Sequence, residues 1–180
     1  MPRSVSSLAR TAMLLALALA LHQVEGLLPV SLLPYPGVKL GLANLVTIIG
    51  MFLLATKNIL LLVILRCLLV AALGNISGLL FSLCGALLAF LTMSTLASLA
   101  ARHFSLPALS VAGALAHNLG QLFIAALLSR TWTVLFYLPV LIIAGSISGL
   151  AIGFAALFLL RAMHSSSRYT LKESFLILLK

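Results

Sequence analysis

The groups in this chain that could do chemistry are few: two carboxylates, an arginine inside an apolar run, and a tight His-Asn-Gln cluster. The carboxylates are Glu25 and Glu173, and there is no aspartate. That excludes paired-carboxylate catalysis, Asp-rich magnesium clusters and calcium loops. It also excludes a Ser-His-Asp arrangement, because no Asp exists to orient a histidine. His117, Asn118 and Gln121 form the densest polar group in any apolar run, and His117 and Gln121 share a helix face at i,i+4 spacing. No second His or carboxylate shares that face, so no metal site and no catalytic residue is expected. Binding by charge and hydrogen bonds is the chemistry that remains.

Arg66 lies in the third apolar run, about 10 Å deep when counted from Ile59. A guanidinium there must snorkel, take backbone carbonyls, meet Glu25 as its one protein counter-ion, or hold an anionic ligand. The stretch Pro36-Gly37-Val38-Lys39-Leu40-Gly41-Leu42-Ala43-Asn44 opens the second run. Lysine and glycines at a helix start make an anion site from free N–H groups, the positive dipole end and an ammonium. The other reading of Lys39 is an interfacial lysine beside a Pro-Gly turn.

The elements that position these groups are membrane helices. Of 180 residues, 63% are hydrophobic and 7% charged, and mean hydropathy is +1.29. A soluble chain is about a quarter charged. The net charge of +9 comes from basic residues set singly between apolar runs, so it points to a membrane and not to nucleic acid. Cys67 and Cys84 lie in apolar runs and read as small buried hydrophobes.

A helix needs roughly 20 apolar residues to span. The runs fall between Arg10 and Glu25, Leu40 and Ala55, Ile59 and Leu73, Leu79 and Ala101, Pro107 and Leu128, and Val134 and Leu160. The expected fold is therefore all-α, a polytopic six-transmembrane-helix bundle. Residues 1–163 form the membrane domain, and 164–180 form a short basic tail with an amphipathic pattern suited to the membrane surface. The first run imitates a secretory signal, but it continues beyond Ala20 and five more runs follow, so it is read as a retained helix. With the N-terminus in the cytoplasm, Arg3, Arg10, Lys57, Arg102, Arg161, Arg168, Lys172 and Lys180 lie inside, against Lys39 and Arg130 outside. The bias places both termini in the cytoplasm.

Small residues at four-residue spacing mark faces where helices approach closely in lipid. Three such stripes occur: Ala12, Ala16 and Ala20; Ala112, Ala116 and Gly120; Gly145, Gly149 and Gly153. Each either packs inside the bundle or meets a partner.

Glu25 with Pro29, "PGVKLGLANLVTI" (36–48), "ILRCLL" around Arg66, "FSLCGALLAFLTM" (81–93), "SVAGALAHNLGQLFIA" (110–125) and "YLPVLIIAGSISGLAIG" (137–153) together resemble one family. It is the Gx transporter family, also labelled heptaprenyl diphosphate synthase component I, and it is grouped with the S components of energy-coupling-factor (ECF) transporters. The resemblance implies a substrate-binding protein of the bacterial cytoplasmic membrane that takes up a small solute with a T subunit and two cytoplasmic ATPases. It implies a T-subunit contact at Ala12, Ala16 and Ala20. Lys39 and Arg66 would then favour an anionic group, with Asn44, His117, Asn118, Gln121 and Glu25 completing the site. No Walker A sequence occurs, so ATP is hydrolysed by the partners and no cofactor is bound directly. Without an Asp-rich motif the chain cannot be the catalytic subunit of a prenyl diphosphate synthase. The competing readings are a non-catalytic accessory or precursor carrier of heptaprenyl diphosphate metabolism, and a solitary ion-coupled transporter using Glu25 and His117. A protein that only docks an enzyme would keep Arg66 and the His117 face packed and dry.

Overall fold

The computed structural model describes residues 3–27, 41–74, 76–99, 103–165 and 173–179. They form six α-helices: α1 (Arg3–Leu27), α2 (Leu42–Leu53), α3 (Thr56–Ala72), α4 (Leu79–Leu99), α5 (Leu106–Ser129) and α6 (Leu138–Ser165). Short 3-10 turns occupy Ile76–Gly78, Trp132–Tyr137 and Glu173–Leu179, and there is no strand among the described residues. Local chemistry sets several ends. Ser105 caps α5 by accepting the Ala108 N–H at 3.4 Å, with Pro107 in the first turn where a missing N–H costs nothing. Gly41 precedes α2 with φ of 76°, a left-handed conformation that glycine adopts without strain.

Among the described residues, four helical segments are long and apolar enough to cross a bilayer: Val5–Gly26, Leu79–Leu99, Leu106–Ser129 and Trp132–Ser165. This is a multi-pass membrane protein. The six expected runs correspond to the six helices, but α2 has 12 residues and α3 has 17, both short for a full crossing. The boundaries also move. Arg10 does not open α1 but sits exposed within it, and α6 starts at Leu138, after a 3-10 turn in place of its first expected residues.

Each helix runs opposite to the next. The Asn58 amide at the start of α3 donates to Ser7 Oγ of α1 at 2.6 Å, which fixes one end of the bundle. At the other end, Glu25 near the close of α1 meets Gly41 at the start of α2. In space the helices close a ring in the order α1, α2, α6, α5, α4, α3, with α2 also touching α3 and α4. Val46 to Phe52 are all buried, so α2 is surrounded on every side, as an all-round apolar helix must be. Outward faces carry Leu8, Leu17, Leu91, Phe154 and Phe158, large apolar groups suited to lipid. Among the described residues the buried polar side chains are Thr11, Glu25, Thr47, Arg66, Ser110 and Ser148.

Small residues hold α4, α5 and α6 together. A Cβ on Gly149 would lie 2.8 Å from Val111 Cα, and one on Gly153 would lie 2.5 Å from Pro107 Cα. On the other side of α5, a Cβ on Gly120 would meet Gly85 Cα at 2.9 Å. The Gly145-Gly149-Gly153 stripe is therefore an internal seam. The first-helix stripe is different: Ala12, Ala16 and Ala20 are all exposed, while the inward face of α1 is Thr11, Ala18 and Glu25. The C-terminal segment also departs from expectation. Rather than lying apart on the membrane surface, Glu173–Leu179 returns to the bundle, burying Leu178 and Leu179, and Arg161 Nε donates to the Leu179 carbonyl at 2.9 Å.

Gly153→Val should force α6 away from the α5 backbone and cost ~3 kcal/mol or more, since backbone cannot move aside as a side chain does. Ala16→Leu, on the open face of α1, should leave the unfolding midpoint within about 0.5 kcal/mol of wild type. Thermal unfolding in detergent compares the two, and equal losses would contradict the seam.

Candidate functional site

A cavity opens inside the ring. All six helices contribute: His22 and Glu25 from α1, Asn44 from α2, Arg66 from α3, Ser82 from α4, five residues of α5, and Ser148 from α6. The α5 contribution is Ser110, Ala114, His117, Asn118 and Gln121, one helical face about 16 Å long. Apolar wall comes from Ala43, Cys67, Val70 and Ile152.

The geometry divides the polar residues by what they already hold. Gly41 N–H donates to Glu25 Oε1 at 2.6 Å, so the carboxylate sits at the start of α2, where the helix dipole favours an anion. Asn118 Nδ2 donates to the Leu141 carbonyl at 3.0 Å and lies against Gly145, tying α5 to α6 beside the cavity. Ser148 Oγ donates to the Gly145 carbonyl at 3.3 Å. His117 and Gln121 pack against Gly85, whose missing Cβ would lie 3.0 Å from His117 Cε1 and 3.1 Å from Gln121 Cγ. Any larger residue at Gly85 would push both side chains.

Two buried groups, Ser110 and Arg66, make no side-chain bond among the described residues. Ser110 Oγ is wholly buried without a hydrogen-bond partner. Arg66 is 8% exposed, lines the cavity, and makes no hydrogen bond or ion pair among the described residues. Glu25 lines the same cavity but is engaged at Gly41, so the counter-ion expected from the sequence does not pair with Arg66. Arg66 lies about 9 Å from the nearer end of its helix, at Ala72. Because α3 begins at Thr56, it stands ten residues into the helix, about 15 Å from that end.

The family model for heptaprenyl diphosphate synthase component I matches residues 14–159. The chain belongs to that family. No curated protein and no solved structure matches it. The matched span contains every cavity residue, from His22 to Ile152, so the cavity lies within the part of the chain that the family defines.

Of the residues singled out from sequence, the structure brings Glu25, Asn44, Arg66, His117, Asn118 and Gln121 to this one cavity. Lys39 lies outside the described residues, and Ala12, Ala16 and Ala20 face away. Sequence reasoning missed His22, Ser82, Ser110 and Ser148. His22 carried a usable signal, three residues before Glu25 on one helix face. The serines carried none, since serine within a membrane helix commonly bonds its own backbone. Among the described residues no group of three His, Cys, Asp or Glu could hold a metal ion.

Replacing Arg66 by Met should stabilise the ligand-free protein by ~1–3 kcal/mol, because an unpaired buried charge is removed. Glu25→Ala should do the reverse and cost about 1–2 kcal/mol by uncapping α2. Denaturation in nanodiscs measures both, and an Arg66→Met protein less stable than wild type would mean the arginine is satisfied internally.

Proposed function

We propose that this member of the heptaprenyl diphosphate synthase component I family is a non-catalytic membrane protein of isoprenoid diphosphate metabolism that holds a small anionic solute in its central cavity. One observation carries the reading: a nearly buried arginine with no counter-ion among the described residues lines a polar space. The second carboxylate of the chain, Glu173, begins the turn at the opposite end, against α6. Arg66 therefore has no charge partner among the described residues, and an anion from outside is the chemical complement. Family membership supports the metabolic setting. The absence of aspartate argues against a catalytic role, since magnesium-held diphosphate needs carboxylate clusters. The catalytic subunit of the synthase would be a separate chain. A protein whose one task was to dock that subunit has no use for a cavity.

A second reading keeps the cavity and changes the partner. As an ECF-type S component the chain would deliver its solute with a T subunit and two ATPases. The exposed Ala12, Ala16 and Ala20 stripe favours it, because that face packs on nothing within the described bundle. In both readings α2 and α3 complete six crossings. The Ser7 end, which carries Lys57 and Arg161, faces the cytoplasm of a bacterial inner membrane, and both termini lie there.

Isopentenyl monophosphate serves as an anionic probe in nanodiscs. Calorimetry should show binding that weakens at least ~30-fold in Arg66→Gln; no binding, or an unchanged Kd in the variant, would sink the anion site. Affinity capture separates the partners. Recovery of a T subunit with its ATPases, lost in Ala16→Leu, selects the S component, and recovery of a prenyl diphosphate synthase subunit selects the accessory role.

A further inference from the structure

We propose that the solute is polar at both ends, held by its anionic group at Arg66 and read at its far end by the hydroxyl of Ser110, about 10 Å away along the helix axes. The inference rests on the reading above, that Arg66 receives an anion, and it adds the chemistry of the rest of the molecule.

The separation follows from helix register. Arg66 stands six residues before the end of α3 at Ala72, and Gly85 stands six residues after the start of α4 at Leu79. The two helices are consecutive, antiparallel neighbours, so both residues lie roughly 9 Å from the same end of the pair. Gly85 in turn packs on α5, where a Cβ would lie 2.9 Å from the His117 carbonyl oxygen and 3.1 Å from Gln121 Cγ. Arg66 is therefore level with the His117–Gln121 part of the α5 face. Ser110 is seven residues before His117 on that helix, so it lies ~10 Å further toward the Ser105 end.

Ser110 departs from the usual way a hydroxyl is satisfied in a membrane helix. Thr11, Ser98, Ser129, Ser148 and Ser165 each donate to a backbone carbonyl three or four residues earlier. Ser110 makes no such bond, although it is wholly buried, and it lines the cavity one turn beyond Ala114. Gly153 closes the α6 side, since a Cβ there would lie 2.9 Å from Ser110 Cβ. Ile152, next to Gly153 in the chain, lines the same end and shifts as a ligand group arrives.

A buried hydroxyl without a partner is costly, and a group that enters past Ala114 can remove that cost. A hydroxyl or carbonyl does so. A methyl or prenyl end leaves it standing, and a site of this kind discriminates strongly against an analogue that lacks the hydrogen-bonding group. The rest of the lining agrees. Asn44, Ser82 and Gln121, from three different helices, face the cavity and hold no side-chain bond among the described residues. The complementary molecule is an anion with a hydroxyl or carbonyl at the end remote from its charge.

Hexyl phosphate and its ω-hydroxy analogue share an anionic group and a six-carbon chain and differ in the terminal hydroxyl. Their affinities are measured by calorimetry in nanodiscs, with partition into empty nanodiscs subtracted, on the full chain, Ser110→Ala and Arg66→Gln. Wild type should bind the hydroxylated probe about tenfold or more tightly than the alkyl one. Ser110→Ala should shrink that preference to about twofold or less, by losing affinity for the hydroxylated probe, and Arg66→Gln should weaken both. A wild-type protein that binds the alkyl probe equally or better, still through Arg66, overturns the far-end contact and leaves the anion site standing. So does a protein that binds neither hexyl probe but takes isopentenyl monophosphate through Arg66. A preference unchanged in Ser110→Ala overturns the role of Ser110. Failure of all three phosphates to bind, or binding indifferent to Arg66, removes the anion site and this inference with it. The wild-type comparison needs no variant, so it stands even where a substitution impairs folding.

Discussion

The architecture depends on how closely the backbone of α5 approaches its neighbours. Gly85 and Gly120 bring α4 onto one side, and Gly149 and Gly153 bring α6 onto the other, each leaving no space for a Cβ. In lipid this matters more than in water, because apolar side chains gain little by leaving a hydrocarbon solvent for a protein interior. Close packing and interhelical hydrogen bonds must supply the association instead. The same approach fixes the polar face of α5. His117 and Gln121 lie over Gly85, and Asn118 lies over Gly145, so residues that give the cavity its character are held by contacts with glycine. Packing and site are one construction.

Charge economy governs the rest. A chain with two carboxylates can satisfy few buried cations, and this one commits its membrane-embedded carboxylate to a helix start. On the proposed reading, the cost of a guanidinium left without a partner among the described residues becomes available to whatever anion binds. A buried ion pair between Glu25 and Arg66 would have removed that cost and closed the site. Gly41, just before α2, supplies the N–H that Glu25 accepts.

Much of this was legible in the sequence. Apolar runs separated by polar breaks located six helices, because membrane length and hydropathy are strong local signals. Four-residue glycine spacing located the α5–α6 seam for the same reason. Asn44, Arg66, His117, Asn118 and Gln121 stood out because polar groups in apolar runs are rare, and the structure gathers them. The alanine stripe of α1 and the glycine stripe of α6 look alike in sequence, yet one is open and the other closed; only the arrangement of neighbours separates them. The engagement of Glu25 with Gly41 joins residues sixteen apart through a backbone N–H, which has no side-chain signature. The return of Leu178 and Leu179 to the bundle was equally hidden, since an apolar tail reads the same against lipid or protein.

The burial of α2 has a consequence for biogenesis. Twelve residues make a helix about 18 Å long, against a hydrocarbon core of about 30 Å, so this element has no independent place in a bilayer. Its position is defined by α1, α3, α4 and α6, and the last of these is made after the other three. The nascent chain must therefore carry α2 incompletely housed until α6 emerges. Arrival of the final helix does two things at once: it gives α2 its last wall and closes the ring around the cavity. Assembly of the site is thus tied to synthesis of α6, and a product truncated before that helix would lack both.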